Sequence, residues 1–146
     1  MLPAVSVAPK RRVLVIENHA MFRQNLVNWI AGQTELECCG EAESVPEAQS
    51  AVRTQQPDLI LLDLFLKEGD GFDLLHWLRV GLNKLPVIIL SQYTEQQYAL
   101  ASLHAGARAY VSKASATEEL HLAIDAVMGG DCYVSGRGAF RDEAQA

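Results

Sequence analysis

The fold is decided by a short apolar run that ends in a carboxylate, Leu59-Ile60-Leu61-Leu62-Asp63. Such a run is typical of a parallel strand that is buried on both faces of a sheet. An acidic residue at the carboxyl end of such a strand lies at the rim of an open α/β sheet, where ligands bind. Asp63 is therefore the first candidate for a functional residue.

Three further apolar runs end in polar residues at the same predicted edge. Glu17 and Asn18 follow the first run, Ser91 follows a later one, and Lys113 follows the last. Taken singly, Glu17 and Asn18 are as compatible with a loop pair that caps the next helix, and Ser91 with a turn residue. Lys113 taken singly is better explained as a solvated lysine after a strand. Since the carboxyl ends of parallel strands share one edge of a doubly wound sheet, we expect these side chains to surround Asp63.

Strand and helix patterns alternate five times along the chain, and helix starts carry capping signatures such as Ser44-Val45-Pro46-Glu47. Strands separated by such helices pair in parallel through right-handed crossovers. We therefore predict an α/β fold with a doubly wound, five-stranded parallel sheet in the order 2-1-3-4-5. Residues 1–10 are predicted to be a flexible tail, residues 11–130 the domain, and residues 131–146 a polar tail or the start of a linker.

Composition excludes several classes of protein. The chain has 146 residues, which suits one compact domain, and a net charge of -6. We expect no DNA binding by this acidic chain alone, because such binding depends on neutralising phosphates. No apolar stretch approaches the roughly 20 residues of a membrane span, so no membrane association is expected. An odd number of cysteines without a CxxC pattern disfavours a disulfide framework or a zinc site and favours the reducing cytoplasm.

The acidic edge of the predicted sheet indicates a hard divalent cation. Mg²⁺ prefers a few carboxylate oxygens together with water and phosphate. Asp63 is suited either to bind this ion or to attack a phosphorus atom and form an aspartyl-phosphate. Lys113 and Ser91 would then hold the phosphate oxygens by hydrogen bonds. Nucleotide and flavin binding are disfavoured, since the chain has no P-loop signature and no GxGxxG after its first strand.

From about residue 12 to residue 128, the chain resembles the receiver domain of a two-component response regulator. The resemblance rests on the spacing of the polar strand ends, and residues 17–23 and 106–113 most resemble the NarL/FixJ-type subfamily. It implies a flavodoxin-like receiver fold, a role in transcription regulation, and phosphorylation by a sensor histidine kinase or a phosphotransfer protein. A stand-alone receiver and a part of a longer regulator are both compatible with the sequence.

The resemblance also implies a role for each polar strand end. Asp63 is the phosphoacceptor, Ser91 and Lys113 assist the transfer, and Ser91 and Tyr110 are the switch residues. The phosphoryl group would draw Ser91 inward, and Tyr110 would follow into the vacated space. The implied ligands of Mg²⁺ are Glu17, Asn18, Asp63 and the backbone carbonyl of Phe65.

One departure from the family pattern affects the metal site. The resemblance places an acid at position 18, whereas this chain has Asn18. An amide oxygen still binds Mg²⁺, but one negative charge is lost, so weaker metal binding and slower phosphorylation are expected. The alternative is a degenerate receiver that acts by phosphorylation-independent contacts. A phosphatase of the haloacid-dehalogenase type is disfavoured, because it needs a second acid where this chain has Phe65.

Two expectations concern the lifetime and the assembly of the phosphorylated form. Phe65 and Tyr93 lie two residues beyond Asp63 and Ser91, where their rings either shield the phosphoryl group from water or turn outward as a partner surface. The last helix commits its apolar stripe to the core. We therefore expect a monomer at rest and at most a weak, phosphorylation-dependent homodimer.

Overall fold

The computed structural model describes residues 9–66, 68–82 and 84–141. The predicted tail over residues 1–10 lies largely outside the described residues, and so do residues 142–146. Strands and helices alternate in the order β1 (Arg11–Ile16), α1 (Ala20–Ala31), β2 (Leu36–Ala42), α2 (Val45–Gln55), β3 (Leu59–Asp63), α3 (Gly71–Leu82), β4 (Val87–Ser91), α4 (Gln96–His104), β5 (Ala109–Ser112), α5 (Ala116–Met128), β6 (Cys132–Val134) and β7 (Gly138–Phe140). A 3-10 turn at Lys113–Ser115 joins β5 to α5.

The described strands form one sheet in the order β2-β1-β3-β4-β5-β6-β7. Pairing is parallel from β2 through to β6, and β7 runs antiparallel to β6. The prediction of a doubly wound parallel core in the order 2-1-3-4-5 is therefore confirmed. Because the core strands run parallel, the ends of β1, β3, β4 and β5 reach one edge of the sheet.

Two apolar layers cover the two faces of this sheet. Alternate residues of the central strands, such as Val15 and Leu61, pack with α1 and α5, whereas Leu14 and Leu62 pack with α2, α3 and α4. A strand covered on both faces has no side chain that water can solvate, so it must be apolar throughout. This explains why the run before Asp63 shows no alternation of polar and apolar residues.

Residues 132–140 differ from the predicted polar tail or linker. They form β6 and β7, which extend the sheet beyond β5, and Cys132 and Tyr133 are buried. Gly136 in the connecting turn and Gly138 at the start of β7 have φ angles of 86° and 85°, a conformation that glycine adopts without strain. The sequence pattern did not indicate these strands, because three residues are too few to show a period.

No helix in the described part of the chain is long and apolar enough to cross a membrane.

Candidate functional site

Three charged side chains meet at the carboxyl edge of the sheet. The Nζ atom of Lys113 lies 2.9 Å from Glu17 Oε1 and 3.2 Å from Asp63 Oδ2. Glu17 and Asp63 are buried, and the Lys113 side chain is only 17% exposed. One ammonium group thus bridges two buried carboxylates, and the expected contact between Lys113 and Asp63 is observed.

Backbone groups orient both carboxylates. The N–H group of Phe65 donates to Asp63 Oδ1 over 3.1 Å, and that of His19 donates to Glu17 Oε1 over 3.1 Å. The loop after β3 is held close by Gly71, whose N–H donates to the carbonyl of Leu64 over 2.7 Å. A Cβ atom at position 71 would lie 2.7 Å from Leu64 Cα, so only glycine fits this approach.

The surroundings of Glu17 disfavour its negatively charged form, which a bound cation would stabilise. Its Oε2 atom is buried and has no hydrogen-bond partner among the residues that the structure describes. Burial raises the pKa of Glu17 to about 7; the hydrogen bond from Lys113 opposes this shift, and the negative charge of Asp63 adds to it. A buried oxygen without a donor, close to a second carboxylate, fits the oxygen ligands that Mg²⁺ prefers.

The candidate metal site contains few acids. No group of three or more His, Cys, Asp or Glu side chains is placed to hold a metal ion within residues 9–66, 68–82 and 84–141. Asn18, where the resemblance implies a third acid, is exposed. The residues present therefore suit Mg²⁺ chemically, but with one carboxylate fewer than the resemblance implies.

An open cavity of about 540 Å³ gives access to this cluster. Asn18, Asp63, Phe65 and Lys113 all contribute to its wall. Phe22 contributes as well, and its ring centroid lies 4.8 Å from Lys113 Nζ, a cation–π contact that helps to hold the ammonium group in place. The sequence pattern did not indicate this contact between Phe22 and Lys113.

Ser91 and Tyr110 both form hydrogen bonds with the backbone of Tyr93. Ser91 is fully buried, and its Oγ atom accepts a hydrogen bond of 3.0 Å from the N–H of Tyr93. The hydroxyl of Tyr110 donates to the carbonyl of Tyr93. Burial raises the pKa of Tyr110, so the phenol remains a donor at neutral pH. Neither Ser91 nor Tyr110 is among the described residues that line the cavity of about 540 Å³ at Asp63.

Three aromatic rings cluster next to the candidate phosphoacceptor. The ring of Phe65 lies 4.9 Å from that of Tyr93, which in turn lies 5.3 Å from that of Tyr98. Phe65 lines the cavity but is 45% exposed. The sequence indicated Phe65 and Tyr93 by their distance from Asp63 and Ser91, whereas nothing in the pattern of α4 distinguished Tyr98.

Comparison with known proteins gives consistent matches over most of the chain. The family model of the response regulator receiver domain matches residues 13–125. The DNA-binding transcriptional activator DevR/DosR of Mycobacterium tuberculosis is 34% identical over 128 residues, which cover 88% of this chain and 59% of that protein. The response regulator VraR of Staphylococcus aureus is 27% identical over 120 residues, covering 82% and 57%. The chain thus spans less than two thirds of the length of these relatives.

Solved structures share the same architecture. A two-component response regulator of the LuxR family from Aurantimonas sp. SI85-9A1 superposes with a TM-score of 0.81 at 25% identity, covering 88% of this chain and 91% of that one. The non-phosphorylated receiver domain of RcsB from Escherichia coli superposes with a TM-score of 0.80 at 18% identity, covering 86% and 98%. At that identity, the likeness to RcsB bears on the fold alone.

Proposed function

Because the chain belongs to the family of response regulator receiver domains, we propose that it is a phosphorylation-dependent signalling switch with Asp63 as its phosphoacceptor. The observation that carries this proposal is the buried Asp63 carboxylate, which is bound by Lys113 at the wall of an open cavity. The phosphoryl donor is a sensor histidine kinase or a phosphotransfer protein in the cytoplasm. The output is regulation of transcription, without DNA contact by residues 1–146 themselves.

The transfer follows from the arrangement of donors around Asp63. A carboxylate oxygen of Asp63 attacks the phosphorus atom of a phosphohistidine. The O–P bond forms as the P–N bond breaks, and the electron pair returns to the imidazole nitrogen of the donor, which takes up a proton. The Lys113 ammonium group, 3.2 Å from Asp63 Oδ2, is placed to stabilise the phosphoryl oxygens.

Mg²⁺ would be held by Glu17, Asn18, Asp63 and the backbone carbonyl of Phe65. When bound, the ion neutralises negative charge shared between the carboxylates and the phosphoryl oxygens. The Lys113 ammonium group, which lies between Glu17 and Asp63, is the protein cation that would bind the phosphoryl oxygens. Ser91, now bonded to the N–H of Tyr93, is the hydroxyl that turns toward the phosphoryl group.

One observation favours a second function. Since Asn18 leaves only two acids at the site, a degenerate receiver that acts through phosphorylation-independent protein contacts is the competing hypothesis. The two functions differ in whether the chain takes up a phosphoryl group from acetyl phosphate in the presence of Mg²⁺.

If the chain is a phosphorylation-dependent switch, phosphorylation also promotes a weak homodimer.

Restoring an acid at position 18 should strengthen the metal site. We expect Asn18→Asp to raise Mg²⁺ affinity roughly tenfold and to speed phosphorylation by acetyl phosphate, because a hard cation favours a charged oxygen. Isothermal titration calorimetry with Mg²⁺ measures the affinity. Asn25→Asp is the matched control, since Asn25 lines the same cavity and receives the same charge. Equal gains in both variants would show that position 18 acts only through long-range charge.

The aromatic cluster should lengthen the life of the phosphoryl group. Phe65 lines the cavity, and the ring of Tyr93 contacts the ring of Phe65, so both rings can keep water from the phosphoryl group. We expect the double variant Phe65→Asn with Tyr93→Glu to lose the phosphoryl group about tenfold faster, a change of ~1.4 kcal/mol in the barrier to hydrolysis. Decay of the phosphorylated chain after removal of the donor measures this rate. Leu122→Asn, an exposed apolar residue on α5, is the control. Unchanged decay in the double variant would rule out shielding.

A further inference from the structure

The hairpin formed by β6 and β7 is attached to the strand that carries Tyr110. The N–H of Tyr133 donates to the carbonyl of Arg108 over 3.1 Å, and the N–H of Ser135 donates to the carbonyl of Tyr110 over 2.9 Å. The Oγ atom of Ser135 also accepts a hydrogen bond of 2.9 Å from the N–H of Ser112. Bonds on both sides of Tyr110 therefore fix the hairpin to β5.

A single carboxylate fixes the same hairpin to α5. Glu119 accepts hydrogen bonds from Tyr133 OH over 2.8 Å and from Ser135 Oγ over 2.6 Å. Burial and the neighbouring carboxylate raise the pKa of Tyr133 to about 12, so its phenol is a permanent donor under physiological conditions. Since Ser135 Oγ accepts from β5 and donates to α5, this hydroxyl joins three elements at one point.

Packing connects the hairpin with the candidate phosphorylation site. Tyr110 is buried, and it lines a cavity of about 440 Å³ together with Val134 and Phe140 of the hairpin. Its hydroxyl donates to the backbone of Tyr93, whose ring contacts Phe65. The N–H of Phe65, in turn, binds Asp63. A continuous set of contacts thus leads from the phosphoacceptor to the hairpin.

We propose that the β6–β7 hairpin and Tyr110 form one cooperative unit, in which Glu119 is the positioning residue that holds the hairpin against the buried Tyr110. The proposal rests on the proposed function, because phosphorylation of Asp63 is what favours the buried tyrosine. The docked hairpin and the phosphorylated site then stabilise each other. The hairpin is accordingly the element through which the state of Asp63 reaches any chain that follows residue 141.

Linkage makes the coupling measurable from both ends. If a phosphoryl analogue at Asp63 tightens the hairpin, then loosening the hairpin must weaken binding of the analogue by the same factor. A merely structural role for Glu119 would lower the free energy of unfolding without changing how the hairpin responds to the analogue. The two roles are therefore distinguishable in protein that remains folded.

The experiment uses beryllofluoride with Mg²⁺ as the phosphoryl analogue. The affinity and the hydrogen exchange of amides 132–140 are measured in the wild type, in Glu119→Ala and in the control Glu118→Ala, which removes a neighbouring exposed carboxylate. We expect beryllofluoride to slow exchange across the hairpin in the wild type and the control. Glu119→Ala should bind beryllofluoride about fivefold or more weakly and lose this protection. Ser135→Ala, which removes one hydroxyl, tests the same contact should Glu119→Ala unfold.

The possible failures separate the two proposals. Wild-type protein that binds beryllofluoride while the hairpin exchanges at an unchanged rate, or variants that bind as tightly as the wild type, would overturn the coupling and leave the phosphorylation switch intact. Wild-type protein that binds no beryllofluoride at saturating Mg²⁺ would overturn the proposed function and the coupling with it.

Discussion

Asp63→Asn is expected to abolish stable phosphorylation of the chain by acetyl phosphate. The amide oxygen carries no negative charge and is a poor nucleophile, so the aspartyl-phosphate cannot form. The amide has the same size as the carboxylate, so the packing of the buried side chain should persist. Its single oxygen keeps only one of the two contacts, because Phe65 N–H donates to Oδ1 and Lys113 Nζ donates to Oδ2. Retardation on a phosphate-affinity gel measures the modified fraction. Asp125→Asn, an exposed residue on α5, should behave as the wild type.

An Asp63→Asn protein that is phosphorylated as fully as the wild type would place the acceptor elsewhere. Thermal unfolding of the same preparation shows whether the variant is folded, so that a failure to fold is not mistaken for loss of the acceptor. A folded variant without phosphorylation supports Asp63 as the acceptor.

Glu17→Gln is expected to stabilise the metal-free protein at pH 8 while it weakens Mg²⁺ binding. The pKa of Glu17 is raised from 4.5 to about 7, so between these values the folded chain retains a proton that the unfolded chain has lost. The free energy of unfolding of the wild type therefore falls as the pH rises from 4.5 to about 7. Above pH 7 it stays lower by the full free-energy cost of burying the Glu17 charge. We expect the variant to recover on the order of 3 kcal/mol at pH 8.

Urea unfolding at pH 5 and pH 8 without Mg²⁺ measures this effect. The free energy of unfolding should fall between the two pH values in the wild type and in the control Glu118→Gln, and much less in Glu17→Gln. Gln keeps an oxygen that accepts from Lys113 and from the N–H of His19, so the local contacts persist. Parallel pH profiles for all three proteins would show that Glu17 is not the buried titrating group. The metal-free protein is thus expected to be less stable above about pH 7, where the Glu17 carboxylate is ionised and able to bind the metal.

The parts of the site that the sequence predicted are those that strand direction determines. Parallel strands place their carboxyl ends together, so the convergence of Glu17, Asp63 and Lys113 follows from the order of the runs alone. The same holds for the burial of Ser91 at the end of β4. These positions depend on topology, which the alternation of strands and helices specifies.

The parts that the sequence did not predict depend on side-chain packing and on short edge strands. The hydroxyl of the buried Tyr110 donates to the carbonyl of Tyr93, a contact that the strand pattern does not indicate. The hairpin takes its stability from hydrogen bonds to β5 and from Glu119, partners distant in sequence. Neither contact leaves a periodic signal in the residues that make it.

Phosphorylation of the wild-type chain on Asp63 is best tested by its intact mass after incubation with acetyl phosphate. In the presence of Mg²⁺, we expect a single phosphoryl adduct located on Asp63, and no adduct when a chelator removes the metal. A chain that remains unmodified at saturating Mg²⁺ and donor would contradict the phosphorylation switch, and it would favour a receiver that acts by protein contacts alone.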